Sequence, residues 1–196
     1  MGSYDDTRII MAMSKSAWPE GRVGKREEQD WFLVVEEARN RLLEYRKSGV
    51  KAVVIAVTGM KPSASTQPEI YFYKEALLSL GLVEGKDFSL ISTGIDTITQ
   101  LHEAFGFVNL WHGAQLEIVC TKLHFFRTIW LCFWDKKLLN GNTKVMCYTP
   151  KKFGKPRSEE IINDLVMMLA IPIIDILGLR KNFLNYVNKR RSSGKL

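Results

Sequence analysis

Two periods of apolar residues run along the chain. Short runs at 8–13, 52–57, 88–92, 116–121 and 144–148 are rich in β-branched residues and predict strands. Longer stretches repeat at helical spacing. In 27–48, Trp31, Val34, Val35, Ala38, Leu42 and Tyr45 share one face, and Gly49 ends the pattern. Pro68 opens a second helix that Gly81 closes, and further helices are predicted at 96–111 and 123–139. Gly141-Asn142 punctuates the turn before the last strand. Ala52 to Val57 is apolar without interruption, which suits a sheet covered on both sides.

Strands separated by helices of this length need crossover connections and therefore run parallel. The expected fold is a Rossmann-like, three-layer, doubly wound α/β domain over residues 1–150, with a parallel sheet of about five strands. Beyond Pro150 the pattern becomes a basic loop and two helices, at 158–170 and 173–188. These form an expected C-terminal helical extension, 151–196, packed on the domain.

The 123–139 helix is apolar nearly all round, with Phe125, Phe126, Ile129, Trp130, Leu131, Phe133, Trp134 and Leu138. Such a helix needs cover on more than one side. The C-terminal helices or a second copy of the chain, as a homo-oligomer, would supply it. The apolar run 165–179 is interrupted by Pro172 and Asp175 and falls short of the roughly 20 residues of a membrane span. It reads as part of a buried helical pair, with an in-plane membrane contact as the alternative.

Of 196 residues, 46% are hydrophobic and 25% charged, the balance of a folded globule. Net charge is +7 and is concentrated late in the chain. Arg180, Lys181, Lys189, Arg190, Arg191 and Lys195 follow residue 179 with no acid, and residues 1–150 are close to neutral. That distribution gives little reason to expect nucleic-acid binding. The basic end reads first as a solvated tail, and second as a weak contact with an anionic membrane. Cys120, Cys132 and Cys147 read as buried thiols of a reducing compartment. The first residues lack a secretory leader's basic and apolar regions, so the expected location is cytoplasmic.

Doubly wound sheets bind ligands beyond the carboxyl ends of their strands. There the chain places Ser14-Lys15-Ser16 and then Arg22 after strand one, and Thr58, Gly59 and Glu69 after strand two. Asp96 and Thr97 follow strand three, and Thr121, His124 and Arg127 follow strand four. Taken singly, these residues also suit caps, turns and helix-dipole partners. His124 and Arg127 say more. Three residues apart in a first turn, they share a face beside unpaired backbone N–H groups, a natural anion site. The guanidinium fork suits phosphate or carboxylate, and imidazole can donate to an anion or move a proton. His102 and His112 read as helix-surface or helix-end residues. Dinucleotide, Walker and nucleophile-elbow motifs are absent, and no His or Cys spacing suggests a metal. No cofactor can be named.

Thr121 to Thr128 reads Thr-Lys-Leu-His-Phe-Phe-Arg-Thr. It resembles the Thr/Ser-x-x-His-x-x-Arg-Ala segment of the YdcF-like family, the group that takes in SanA and ElyC. Gly94-Ile95-Asp96-Thr97-Ile98-Thr99-Gln100 is similar to that family's Ser-x-Asn-Thr-x-Glu-Asn segment. Thr58-Gly59-Met60 stands where the family has Ser-Gly-Gly, and Glu69 matches its following acidic residue. The chain departs from the family at the first turn, where Ala12-Met13-Ser14 replaces Gly-Gly. The resemblance spans about residues 8–150. It implies a Rossmann-like fold, a polar crevice for a nucleotide-like or phosphorylated molecule and, for many members, a link to the cell envelope. On that reading Arg127, Thr97, Thr58, Gly59, Thr121 and Ser14 bind the ligand. His124, with Asp96 or Glu69, supplies any proton transfer, as in a transferase or hydrolase. The rival reading is a non-enzymatic module, in which the aromatic helix and basic C-terminal helices meet a protein or an anionic membrane.

Overall fold

Strand and helix patterns alternate through the first 150 residues, and the chain is wound accordingly. The computed structural model describes residues 7–13, 25–59, 68–94, 96–111, 113–139, 143–150 and 158–192, with backbone alone at 25–30, 123, 158–161, 163–164, 167, 184, 187–188 and 190–192. Ser14, Lys15, Ser16, Arg22, His112, Gly141-Asn142 and the basic loop 151–157 lie outside the described residues.

The elements are β1 (Arg8–Met13), α1 (Lys25–Lys47), β2 (Ala52–Val57), α2 (Glu69–Ser79), β3 (Phe88–Ile91) and α3 (Thr97–Asn109). They continue with β4 (Gln115–Cys120), α4 (Lys122–Asp135), a 3-10 turn (Lys136–Leu138), β5 (Val145–Tyr148), α5 (Ser158–Ile176) and α6 (Arg180–Ser192). All strand pairs are parallel, in the order β3-β2-β1-β4-β5. This is the doubly wound, Rossmann-like three-layer arrangement. Its order reverses between β1 and β4, where Met13 lies opposite Cys120.

Each face has its own core. On one, Val34, Val35, Ala38 and Leu42 of α1 and Tyr73 and Leu77 of α2 cover Ile10, Ala12, Val54 and Ala56. On the other, Leu101 and Phe105 of α3 and Leu131 of α4 cover Ile9, Met11, Leu116 and Ile118. The alternation of Ile9/Met11 with Ile10/Ala12 is the period-two pattern of a strand buried on both sides. Cys120 and Cys132 are buried free thiols and Cys147 is half-buried.

The C-terminal helices differ from expectation in two respects. The break falls at Gly178 rather than Pro172. Proline removes one backbone donor without ending α5. Gly178, at φ +68°, does end it. Gly178 N–H donates to Asp175 O at 3.1 Å and Leu179 N–H to Ile174 O at 2.9 Å, the paired bonds of a left-handed helix stop. Second, α5 is not a buried helix. It packs on α4 and sinks Ile171 into the core, yet Ile162, Leu165, Val166, Leu169, Ile173 and Ile176 face solvent. Nor do the helices cover α4 fully, since Phe126, Ile129 and Phe133 are exposed.

An ion cluster around buried Asp135 locks α6 down. Arg180 donates to both carboxylate oxygens of Asp135 at 2.5 and 2.8 Å, and its Nε lies 3.2 Å from Asp175. His102 joins from α3, 3.1 Å from Asp135. Burial pushes the Asp135 carboxyl up, but the bonds from His102 and Arg180 outweigh it and hold it below the usual carboxylate range. His102 is thus a partner in the latch rather than a bystander on the helix surface.

Candidate functional site

The β4-to-α4 turn stands at the reversal of strand order, and the structure builds the candidate site there. Thr128 Oγ1 on the inner side of α4 donates to Met13 Sδ at 3.7 Å, which seats the helix's second turn over the end of β1. His124, one turn earlier, and the adjacent Arg127 share that inner side. They are 3% and 8% exposed. Arg127 Nη2 lies 2.7 Å from Nδ1 of His124 and 3.2 Å from its Nε2. The guanidinium can only donate, so the ring nitrogen that accepts from it carries no proton. The same Nη2 donates to Thr97 Oγ1 at 3.3 Å, across to the first residue of α3. Arg127 therefore ties together the N-termini of two helices that meet at the strand-order reversal. At α4 no side chain caps the first N–H groups, so that terminus presents the positive end of a helix dipole, whereas Asp96 caps α3.

Asp96 caps α3. Its Oδ1 accepts from the N–H groups of Ile98 at 2.9 Å and Thr99 at 3.0 Å, and Thr99 Oγ1 accepts in return from Asp96 N–H at 3.2 Å. Oδ2 of Asp96 is buried, with no hydrogen-bond partner among the described residues. Thr121 is the N-cap of α4, where its carbonyl receives Phe125 N–H at 3.0 Å and its hydroxyl makes no capping bond.

Thr58 and Glu69 form a separate pair. Thr58 Oγ1 donates to Glu69 Oε2 at 2.6 Å, so the end of β2 is tied to the first residue of α2 across 60–67. Gly59 N–H donates to Gly94 O at 2.9 Å. A Cβ at Gly59 would lie 3.0 Å from Ser92 O and 3.1 Å from Thr93 Cα, so only glycine fits without displacing the loop after β3. Gly94, at φ +81°, would place a Cβ 2.9 Å from Gln100 N and is excluded from substitution for the same reason and for its backbone angle.

The structure thus brings His124, Arg127 and Thr97 into direct contact, with Thr121 and Asp96 at the caps of the two helices. It holds Thr58, Glu69 and Gly59 at the neighbouring β2 end. Ser14 lies outside the described residues. Sequence reasoning missed a second polar cluster on the opposite face. Glu117, fully buried in mid-β4, accepts from Arg41 Nη1 at 2.9 Å and from the Tyr45 hydroxyl. Arg41 lies 3.3 Å over the ring of Tyr148. Burial and the bond to Glu117 push the Tyr45 phenol up to about 12. The available signal was an acid inside an otherwise apolar strand. Its satisfied partners and mid-strand position make it a tie between α1, β4 and β5.

Among the described residues no group of His, Cys, Asp and Glu side chains could hold a metal ion. No family model, curated protein or solved structure matches the chain.

Proposed function

We propose that the chain binds a small anionic molecule, phosphorylated or nucleotide-like, in the crevice at the carboxyl ends of the strands where β1 and β4 diverge. One observation carries this reading: a nearly buried Arg127, in contact with His124, bridges the N-termini of α3 and α4 through Thr97. The N-terminus of α4, which no side chain caps, and a guanidinium beside it favour negative charge. The buried Oδ2 of Asp96 is an acceptor that a ligand hydroxyl, such as a ribose hydroxyl, would satisfy. Arg127 and the N–H groups beyond Thr121 hold the anion, and His124 directs a ring N–H to it. The resemblance to YdcF-like proteins points to the same ligand class. Any transferase or hydrolase step would use His124 as the proton carrier.

Binding to the native state raises apparent stability by mass action. A thermal-shift panel of inorganic phosphate, nucleoside phosphates and sugar phosphates therefore tests the reading. At least one member should raise the midpoint of the parent chain and fail to raise that of Arg127→Ala, with His124→Ala weakened. Equal shifts in parent and Arg127→Ala, or no shift with any member, would contradict it.

A further inference from the structure

We propose that the outer sides of α4 and α5 rest in the plane of an anionic membrane surface, which they contact without crossing. The observation is a pair of apolar stripes on two helices that pack against each other. On α5, residues 162, 165, 166, 169, 173 and 176 recur at helical spacing and form a band about 100° wide. All are exposed, Leu169 to 71% and Ile176 to 75%. Buried Ile171 stands on the opposite side of the same helix. On α4 the stripe is Phe126, Ile129 and Phe133, opposite the side that carries His124 and Arg127 to the site. Phe126 is 63% exposed. Isolated exposed leucines are ordinary, but two whole helix sides left uncovered are not.

Charge selects the occupant. From α4 through α6, every exposed charged side chain among the described residues is a lysine: Lys122, Lys136, Lys137, Lys144, Lys181 and Lys189. Asp135 and Asp175, the acids of these helices whose side chains are described, are turned inward onto Arg180. Glu159, Glu160 and Asp164 also belong to α5, where Glu160 and Asp164 fall by helix register away from the apolar stripe and Glu159 beside one edge of it. Lys122 stands one turn before Phe126 on the α4 stripe, and Lys136 follows Phe133, its Nζ 5.2 Å from the ring centroid. An apolar aromatic band with lysines at both ends places rings at the headgroup boundary and ammonium groups among lipid phosphates. A second copy of the chain would bring the same cationic rim against itself in a two-fold interface, whereas an anionic bilayer attracts it. Among the described residues no helix is long and apolar enough to cross a membrane, so the contact is with the surface.

Vesicle flotation with the full chain tests this. The chain should float with phosphatidylcholine vesicles that contain about one-quarter phosphatidylserine, and not with phosphatidylcholine alone. Raising salt to about 0.5 M should release much of it. The double variant Phe126→Ser with Leu169→Ser alters only exposed side chains and should keep the parent's circular dichroism. Its affinity for the anionic vesicles should fall about tenfold or more. A folded parent chain that stays off anionic vesicles at low salt would overturn the proposal, as would flotation that the double variant leaves unchanged. A dimer in sedimentation that the same two substitutions dissolve, with no vesicle binding, would assign the face to a second copy instead.

Discussion

On one face of the sheet, α1 lays its apolar residues inward and shows water a polar back: Glu36, Asn40, Glu44, Arg46 and Lys47 are all exposed along it. On the other face, α3 and α4 cover the sheet as fully, but the next layer out is apolar again along α4 and α5. The first face is finished by its own chain. The second is finished only against something else, and the candidate site lies on that side, at the inner turn of α4. A helix with a single apolar stripe closes a domain, whereas a helix apolar on two sides joins the domain to another phase or partner.

The largest expected effect separates the two faces. Leu77→Ala, in the closed core of α2, should cost about 3 kcal/mol in urea unfolding, while Leu169→Ala on the open face should stay within about 0.5 kcal/mol. Comparable losses at both positions would break the contrast. Next comes the latch that holds the open face together. Asp135→Ala leaves Arg180 without its main partner and should cost roughly 3 kcal/mol, read by the same unfolding curves and by faster hydrogen exchange in α6.

Acidity sharpens the same point. The Asp135 carboxyl is held low in the folded chain, so its contribution is present above the unfolded carboxylate value of about 3.9 and lost as pH falls through the lower folded value. Asp175, raised by burial, acts in the opposite sense and softens the effect. Stability should decline below about pH 4, and Asp135→Asn should flatten that decline. The smallest effect is at the site: Asp96→Ala removes the α3 cap and should cost about 1 kcal/mol in chemical denaturation, with Asp96→Asn nearer neutral.

Much of this architecture is legible in the residues. Strands at 8–13 and 52–57 are bounded as expected, because short continuous apolar runs flanked by polar residues have few competing conformations. The helix stop after 176 is not placed correctly by the proline, since a packed helix tolerates Pro172 and the glycine two residues past its end sets the stop. Exposure of α5 is illegible for a related reason: an apolar residue looks the same whether it meets the core or nothing. At the site, His124 and Arg127 are legible because i and i+3 share a face. The reach of Arg127 to Thr97, thirty residues earlier, depends on the crossover that sets α3 beside α4. Glu117 hides because its partners, Arg41 and Tyr45, come from α1, and Arg41 in turn lies over Tyr148 of β5.

An amide NMR titration with a nucleoside monophosphate tests the anion site most directly. The N–H signals of Thr97, Ile98, Lys122 and His124 should move together along one saturable curve, and in Arg127→Ala they should stay still. Shifts confined to the basic residues beyond 179, or movement at the helix N-termini that survives loss of the guanidinium, would contradict the site as built.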